Sequence, residues 1–215
     1  MLEVTILNAK RPLTKAEFDF LTSFLSIEKY QAVKRLKTPQ EATNTLLGAV
    51  LSQLEISRFT GFDMKYIDFT TNVYGKPFVR NIRGIHFNVS HSEFFVVCAT
   101  SSKPVGIDIE VIRPINLKIA NRFFTTDEIF YIMKNQNKHH FIEIWTKKES
   151  FVKLKGKGFH IPLTSFSVFN LPEKNIFYYN VFNNEEAICY VCSSEKVAPI
   201  IRIIDTNTLI NCLLS

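Results

Sequence analysis

The 215-residue chain lacks the features of several large protein classes. No apolar run approaches the roughly 18 residues that a membrane-spanning helix needs. The first residues also lack the basic, apolar and small-residue regions of a signal peptide. The four cysteines are too few and too scattered for a disulfide framework. We therefore expect a cytoplasmic protein with reduced thiols and no membrane segment.

Positive charge is present but nowhere concentrated. Residues 1–100 carry 12 basic and 9 acidic side chains and residues 101–215 carry 14 and 11, so each part has a net charge of +3. A nucleic-acid-binding surface would show a denser basic stripe, so we expect no nucleic-acid partner. An even positive balance suits a small polyanionic ligand or an acidic protein partner. The 46% hydrophobic content predicts a packed globular protein.

Hydrophobic periodicity and capping signals predict alternating helical and strand-rich stretches. The first helix opens with a T-x-x-E capping box and the third with T-P-Q-E. This order of elements indicates an α+β fold. The predicted helices are 14–25, 26–36, 38–59, 125–134 and 140–154, and the predicted strands are 3–7, 67–70, 85–90, 94–100 and 105–111, with three or four more between 166 and 204.

The stretch GIDIE, residues 106–110, places two carboxylates in an otherwise apolar strand. Strand alternation puts Gly106, Asp108 and Glu110 on one face and two isoleucines on the other. The two charges are about 7 Å apart and repel each other unless a cation or a shared proton offsets the repulsion. Gly106, without a side chain, leaves room for a ligand. This stretch alone is equally compatible with a magnesium site and with a solvated strand face.

Several further polar groups could either belong to a functional site or be ordinary surface features. Glu149 and Lys153 share a helix face and form either a surface ion pair or a third carboxylate with a phosphate-facing lysine. Ser90 and His91 at a strand end could donate to phosphate or form a polar turn. Lys76 stands at the tip of a G-K-P turn. The segment KGKG after the second long helix resembles a phosphate loop in composition only, because the Walker spacing is absent.

Read in order, the motifs GKP, FNxSH, GIDIE, RFFTxxE and WTxKESFxKxxGKG resemble those of the 4′-phosphopantetheinyl transferase superfamily, Sfp type. The resemblance covers residues 13–168. It implies an α+β fold of two similar halves, 1–104 and 105–215, related by a pseudo-twofold axis, with the active site in the cleft between them. It also implies a monomer.

The resemblance implies that the 4′-phosphopantetheine group of coenzyme A is transferred to a serine of an apo acyl or peptidyl carrier protein, releasing adenosine 3′,5′-bisphosphate. By resemblance, Asp108, Glu110 and Glu149 would hold Mg²⁺. Glu149, or a water that it positions, would be the general base that takes the serine proton. Lys153 would stabilise the charge that develops on the β-phosphate and on the leaving group. The implied contacts to coenzyme A are Lys29, Lys76, Ser90, His91, Lys148 and Lys153.

The chain departs from the family pattern at Ala32 and Asn44, where basic residues are frequent. We expect a weaker grip on the 3′-phosphate of coenzyme A, or compensation by nearby basic side chains. Apolar residues around Phe123, Phe124 and Ile129 are candidates for docking the carrier. The alternatives are a non-enzymatic coenzyme A or carrier-protein binding module and another Mg²⁺-dependent phosphate enzyme, such as a nucleotide hydrolase.

Overall fold

The computed structural model describes residues 1–135 and 138–214. It confirms the mixed α+β character of the chain. The helices are α1 (Lys15–Thr22), α2 (Ile27–Lys34), α3 (Pro39–Thr60), α4 (Thr126–Asn135), α5 (Lys138–Lys155) and α6 (Thr206–Leu214). The strands are β1 (Leu2–Asn8), β2 (Phe69–Thr71), β3 (Pro77–Val79), β4 (His86–Ser92), β5 (Phe95–Ser101), β6 (Val105–Val111), β7 (Phe177–Asn183), β8 (Ala187–Ser193) and β9 (Ile200–Asp205).

Local sequence signals set the ends of the first and third helices. Thr14 and Glu17 form the predicted reciprocal capping box at the start of α1. Thr38 caps α3, and Gly61 ends it with a φ of 71°, a left-handed conformation that favours glycine. These signals were readable because a cap is a contact between residues close in sequence.

Two sheets form the interior of the molecule. A four-stranded sheet has the order β4-β5-β1-β9, and a three-stranded antiparallel sheet has the order β6-β8-β7. Apolar side chains of both sheets share one buried cluster, among them Ile6, Val97, Ile107 and Val191. The outer face of the larger sheet packs against α3, and that of the smaller sheet packs against α5. A small hairpin, β2-β3, pairs with neither sheet and packs against Phe87 of β4.

The end of the chain returns to the larger sheet. Strand β9 pairs in parallel with β1, so a strand from the predicted second half, 105–215, completes the sheet of the first half. Helix α6 follows and was not predicted, because its nine residues carry only weak helix signals. Asp205 starts it by accepting a hydrogen bond from the Thr208 N–H (2.8 Å), and Leu209 buries its side chain.

No helix within the described ranges is both long enough and apolar enough to cross a membrane.

Candidate active site

The two sheets meet at the edges of β4 and β6. Here side chains of β4, instead of its backbone, form hydrogen bonds with the backbone of β6. The Ile107 N–H donates to Asn88 Oδ1 (2.8 Å). Four residues further along β6, the Val111 N–H donates to Ser92 Oγ (3.1 Å). Ser90 lies between them on the same face of β4 and donates to Asp108 Oδ1 (2.8 Å). Polar residues at every second position of β4 therefore fix β6 in place.

Gly106 lets helix α5 contact this strand directly. A Cβ atom at Gly106 would lie 2.1 Å from Ser150 O and 2.3 Å from Leu154 N, both backbone atoms of α5. The expectation that this glycine leaves room for a ligand is therefore wrong, because the space is filled by the helix. The close approach carries Lys153 to Asp108, with 2.6 Å between Nζ and Oδ1.

Asp108 is the most buried of the three predicted metal ligands, with 3% of its surface exposed. Its Oδ1 accepts hydrogen bonds from Lys153 and Ser90. Its Oδ2 is buried and has no hydrogen-bond partner among the residues that the structure describes. Burial raises the pKa of this carboxyl, although the charge of Lys153 acts in the opposite direction. A buried carboxylate oxygen without a partner is costly unless a proton or a cation occupies the site.

Glu110 and Glu149 share the electrostatic environment of Asp108. Glu110 Oε2 accepts a hydrogen bond from Ser92 (2.9 Å). Burial raises the pKa of Glu110, and the charge of Asp108 raises it further. Burial also raises the pKa of Glu149, again with an added contribution from Asp108. The structure thus brings the three predicted carboxylates close enough together to repel one another electrostatically.

This cluster is not a preformed metal cage. Within the described part of the chain, no three Asp, Glu, His or Cys side chains are close enough together to hold a metal ion. The ammonium of Lys153 stands directly against Asp108 instead. The donor set nevertheless fits a hard cation, since it offers carboxylate oxygens, one of them unpartnered.

A cavity of about 330 Å³ opens beside the cluster. Glu149 and Lys153 line it together with Lys76 and Asn88, while glycines, one tyrosine and apolar side chains form the rest of its wall. A larger, open hollow of about 580 Å³ lies at the far edge of the main sheet, between β9 and the start of α6. None of the predicted site residues lines that second hollow, so the smaller cavity is the candidate site.

Lys76 reaches the cavity from the β2-β3 hairpin, but its ammonium is already engaged. It donates to the backbone carbonyls of Val105 (3.0 Å), Lys153 (2.6 Å) and Leu154 (3.3 Å). Two of these carbonyls belong to the last turn of α5, where a cation is favourable. Burial lowers the pKa of Lys76 to about 8. The structure thus gives Lys76 a role in holding the end of α5, beside the phosphate contact that the resemblance implies.

Lys148 does not suit the coenzyme A contact that the resemblance implies. Its side chain is fully buried and forms an ion pair with Glu128, with 2.8 Å between Nζ and Oε2. It also donates to the carbonyls of Leu163 and Phe166, both at 2.6 Å. An ammonium has three donors, and the protein uses all of them. The structure does not support that prediction, because Lys148 is buried against Glu128 and does not line the cavity.

The other predicted contacts to coenzyme A differ in their surroundings. Ser90 is buried and serves Asp108 and Lys153. His91 and Lys29 are exposed. Asn44, which departs from the family pattern, is buried and donates to Glu93 O (2.7 Å) in the turn between β4 and β5. Its amide is thereby committed to the fold.

The predicted carrier-docking residues are less accessible than expected. Phe124 is only 3% exposed and packs edge-on against Phe141. Phe123 packs against Trp145. The exposed aromatic in this region is Phe130, at 68%. Phe123, Phe124 and Phe130 all lie among apolar residues in the sequence, so the sequence did not show which of them is exposed.

Asn88 and Glu128 lie in the motifs FNxSH and RFFTxxE, but the sequence analysis gave them no role in building the site, and it did not name Ser92. The alternation of polar side chains in NVSHS, residues 88–92, was the available signal. It reads as a solvated strand face, and only the neighbouring strand β6 reveals what the polar face contacts.

Comparisons with known proteins show the family of the chain. A model of the 4′-phosphopantetheinyl transferase superfamily matches residues 104–204, and a model of the N-terminal region of 4′-phosphopantetheinyl transferases matches residues 11–103. The 4′-phosphopantetheinyl transferase Sfp of Bacillus subtilis (strain 168) is 44% identical over 161 residues, 74% of this chain and 72% of the relative. The 4′-phosphopantetheinyl transferase gsp of Aneurinibacillus migulanus is 41% identical over 169 residues, 77% and 70% of the two chains. The resemblance is confirmed, and the chain belongs to the 4′-phosphopantetheinyl transferase superfamily.

Proposed function

We propose that this protein transfers the 4′-phosphopantetheine group of coenzyme A to a serine of an apo acyl or peptidyl carrier protein. The observation that carries the proposal is the meeting of Asp108, Glu110 and Glu149 with Lys153 beside one cavity. The relatives are named for the same transfer. Phosphoryl transfer depends mainly on positioning and charge neutralisation, and this set of side chains can supply both.

The three carboxylates would hold a magnesium ion. Their oxygen donors, the unpartnered Asp108 Oδ2 and the raised pKa of each carboxyl all fit a hard divalent cation. When bound, Mg²⁺ neutralises charge on the diphosphate of coenzyme A. The carboxylates would then be relieved of the repulsion that the isolated protein carries.

The side chains of α5 would perform the proton and charge steps. The carrier serine oxygen forms a bond to the phosphorus of the phosphopantetheine group, and the bond from that phosphorus to the bridging oxygen breaks. The serine proton passes to Glu149, directly or through a water, while the electron pair leaves with adenosine 3′,5′-bisphosphate. The raised pKa of Glu149 suits a general base. Lys153 would stabilise the negative charge on the transferred and leaving oxygens.

The proposed substrate site is the cavity between the hairpin β2-β3 and helix α5. Lys76 comes from residues 1–104 and Glu149 from residues 105–215, so both predicted halves contribute to its wall. This arrangement supports the proposed pair of halves with coenzyme A between them. It also supports a monomer, because one chain supplies both sides of the site.

The test is a mass measurement on the carrier. The protein is incubated with coenzyme A, Mg²⁺ and an apo carrier protein, and the carrier is weighed by mass spectrometry. A gain equal to one phosphopantetheine arm, absent without coenzyme A, is the expected result. Coenzyme A binding without a mass gain on any of several carriers would favour the binding module instead.

A matched pair of variants assigns the chemistry to the proposed residues. Glu149→Gln should abolish the mass gain while the fold persists. Glu143→Gln changes a carboxylate on the same helix that pairs with Lys147 instead. It should retain transfer. A Glu149→Gln variant that still transfers the group as well as Glu143→Gln does would overturn the role of Glu149.

A further inference from the structure

A buried ion pair ties three parts of the second half together. Lys148 on α5 and Glu128 on α4 are both fully buried. Lys148 binds the carbonyls of Leu163 and Phe166, as described above. Glu128 Oε1 accepts from the Val168 N–H and Oε2 from the Thr125 N–H, each at 2.8 Å. The pair thus joins α5 to the start of α4 and to the segment 163–168.

Stability alone does not explain this pair. Burying two charges is costly, and a well-packed apolar pair of similar volume is often as stable or more so. The alternative benefit of a buried polar pair is structural specificity: it admits one arrangement in which every donor and acceptor is satisfied. Here all three Lys148 donors have partners.

Helix α5 has an unusual need for such a constraint. Its buried residues lie on every side of the helix instead of forming one apolar stripe. Hydrophobic burial therefore distinguishes poorly between rotations of α5 about its axis. The functional side chains are sensitive to that rotation, because Glu149 directly follows Lys148 and Lys153 must reach Asp108.

We propose that Lys148 and Glu128 are positioning residues that set the rotation of α5, so that Glu149 and Lys153 face β6 and the cavity. The proposal rests on the proposed transferase function. It replaces the implied contact between Lys148 and coenzyme A with an indirect role. Leu163, whose carbonyl Lys148 binds, also lines the cavity, so the same pair holds one wall of the site.

The experiment compares Lys148→Met, Glu128→Gln and the double variant Lys148→Met/Glu128→Leu with the wild-type protein. Steady-state transfer to an apo carrier gives kcat and the KM for coenzyme A, and thermal unfolding gives the folded fraction. Lys147→Met is the control, since Lys147 belongs to the same helix and pairs with Glu143 outside the cavity. The double variant keeps the test valid should either single variant fail to fold.

The single variants should lower kcat by about a hundredfold, the effect of a misplacement of roughly 1 Å, with a KM for coenzyme A within about threefold of wild type. The double variant should be more stable than Lys148→Met, which leaves Glu128 charged and unpaired, but it should not regain the wild-type kcat. The Lys147→Met control should keep the wild-type kcat and the wild-type KM for coenzyme A.

Two results would overturn the positioning role. A KM for coenzyme A raised tenfold or more in Lys148→Met, but unchanged in Glu128→Gln, would make Lys148 a substrate ligand. A double variant with wild-type kcat would make the pair purely structural. Absence of transfer by the wild-type protein would instead count against the proposed function, so the two failures are distinct.

Discussion

The contact between Gly106 and helix α5 permits a sharp test of how the site is assembled. In Gly106→Ala, the new Cβ would lie 2.1 Å from Ser150 O and 2.3 Å from Leu154 N. Both are backbone atoms of a helix, so no side-chain rotation can relieve the overlap. The helix must move away from β6 by roughly 1 Å to restore normal packing distances.

This movement has two predicted consequences. Overpacking of a well-packed interior costs about 1–3 kcal/mol, and the upper end applies here because two backbone atoms are involved. At about 2–4 °C per kcal/mol for a chain of this size, the melting temperature should fall by roughly 6–12 °C. The shift also separates Lys153 from Asp108, so kcat for transfer should fall by about a hundredfold.

Gly48→Ala is the matched control. Gly48 lies within α3, and a Cβ there would approach Val89 Cγ1, a side-chain atom, at 3.0 Å. That side chain can shift by a few tenths of an ångström, and alanine gains about 1 kcal/mol of helix propensity over glycine. We expect stability within about 1 kcal/mol of wild type and unchanged transfer. Gly106→Ala with the stability and kcat of this control would refute the idea that the glycine sets the distance between α5 and β6.

Three further predictions follow from the carboxylate cluster and the altered 3′-phosphate region. Glu149→Gln should raise the melting temperature in metal-free buffer by a few degrees, because it removes the cost of burying one carboxylate and its repulsion from Asp108, together about 1 kcal/mol in a half-buried site; a lower melting temperature would contradict the raised pKa of Glu149. The folded-state pKa of each carboxyl is raised, so its contribution to stability is full at low pH and is lost as the pH rises through that pKa. As the pH falls, metal-free wild type should therefore gain more stability from these carboxyls than Glu149→Gln does, so the melting temperatures of the two proteins should have different slopes against pH; equal slopes would contradict the coupling. The Asn44 amide is hydrogen-bonded to the turn at Glu93, so coenzyme A and its 3′-dephospho form should bind with similar affinity in calorimetry. A large preference for coenzyme A would refute the predicted weak binding of the 3′-phosphate.

Local signals in the sequence carried much of the fold. The caps of α1 and α3 and the two faces of β6 were predictable, because each depends on residues close together in the chain. The predicted alternation is confirmed: Ile107 and Ile109 enter the core, and Asp108 faces Lys153. The parallel pairing of β9 with β1 joins residues almost 200 positions apart, and no local pattern encodes it.

The candidate site was predictable in its chemistry but not in its contacts. The motifs indicated the carboxylates and Lys153, and the structure brings them together. Gly106 and Lys148 were misread because a motif shows that a residue matters without showing what it contacts. In both cases the missing information was the position of a neighbouring element: the backbone of α5 against Gly106, and Glu128 on α4 beside Lys148.

The carboxylates at β6 and α5 are proposed to form the transfer site. The most direct measurement is the intact mass of an apo carrier protein after incubation with coenzyme A and Mg²⁺, with the wild-type protein and Glu149→Gln run in parallel. The wild type should give a mass gain of one phosphopantetheine arm, lost on adding a chelator, and the variant should give no gain. An equal gain with the variant, or a gain that persists in the chelator, would contradict the proposal.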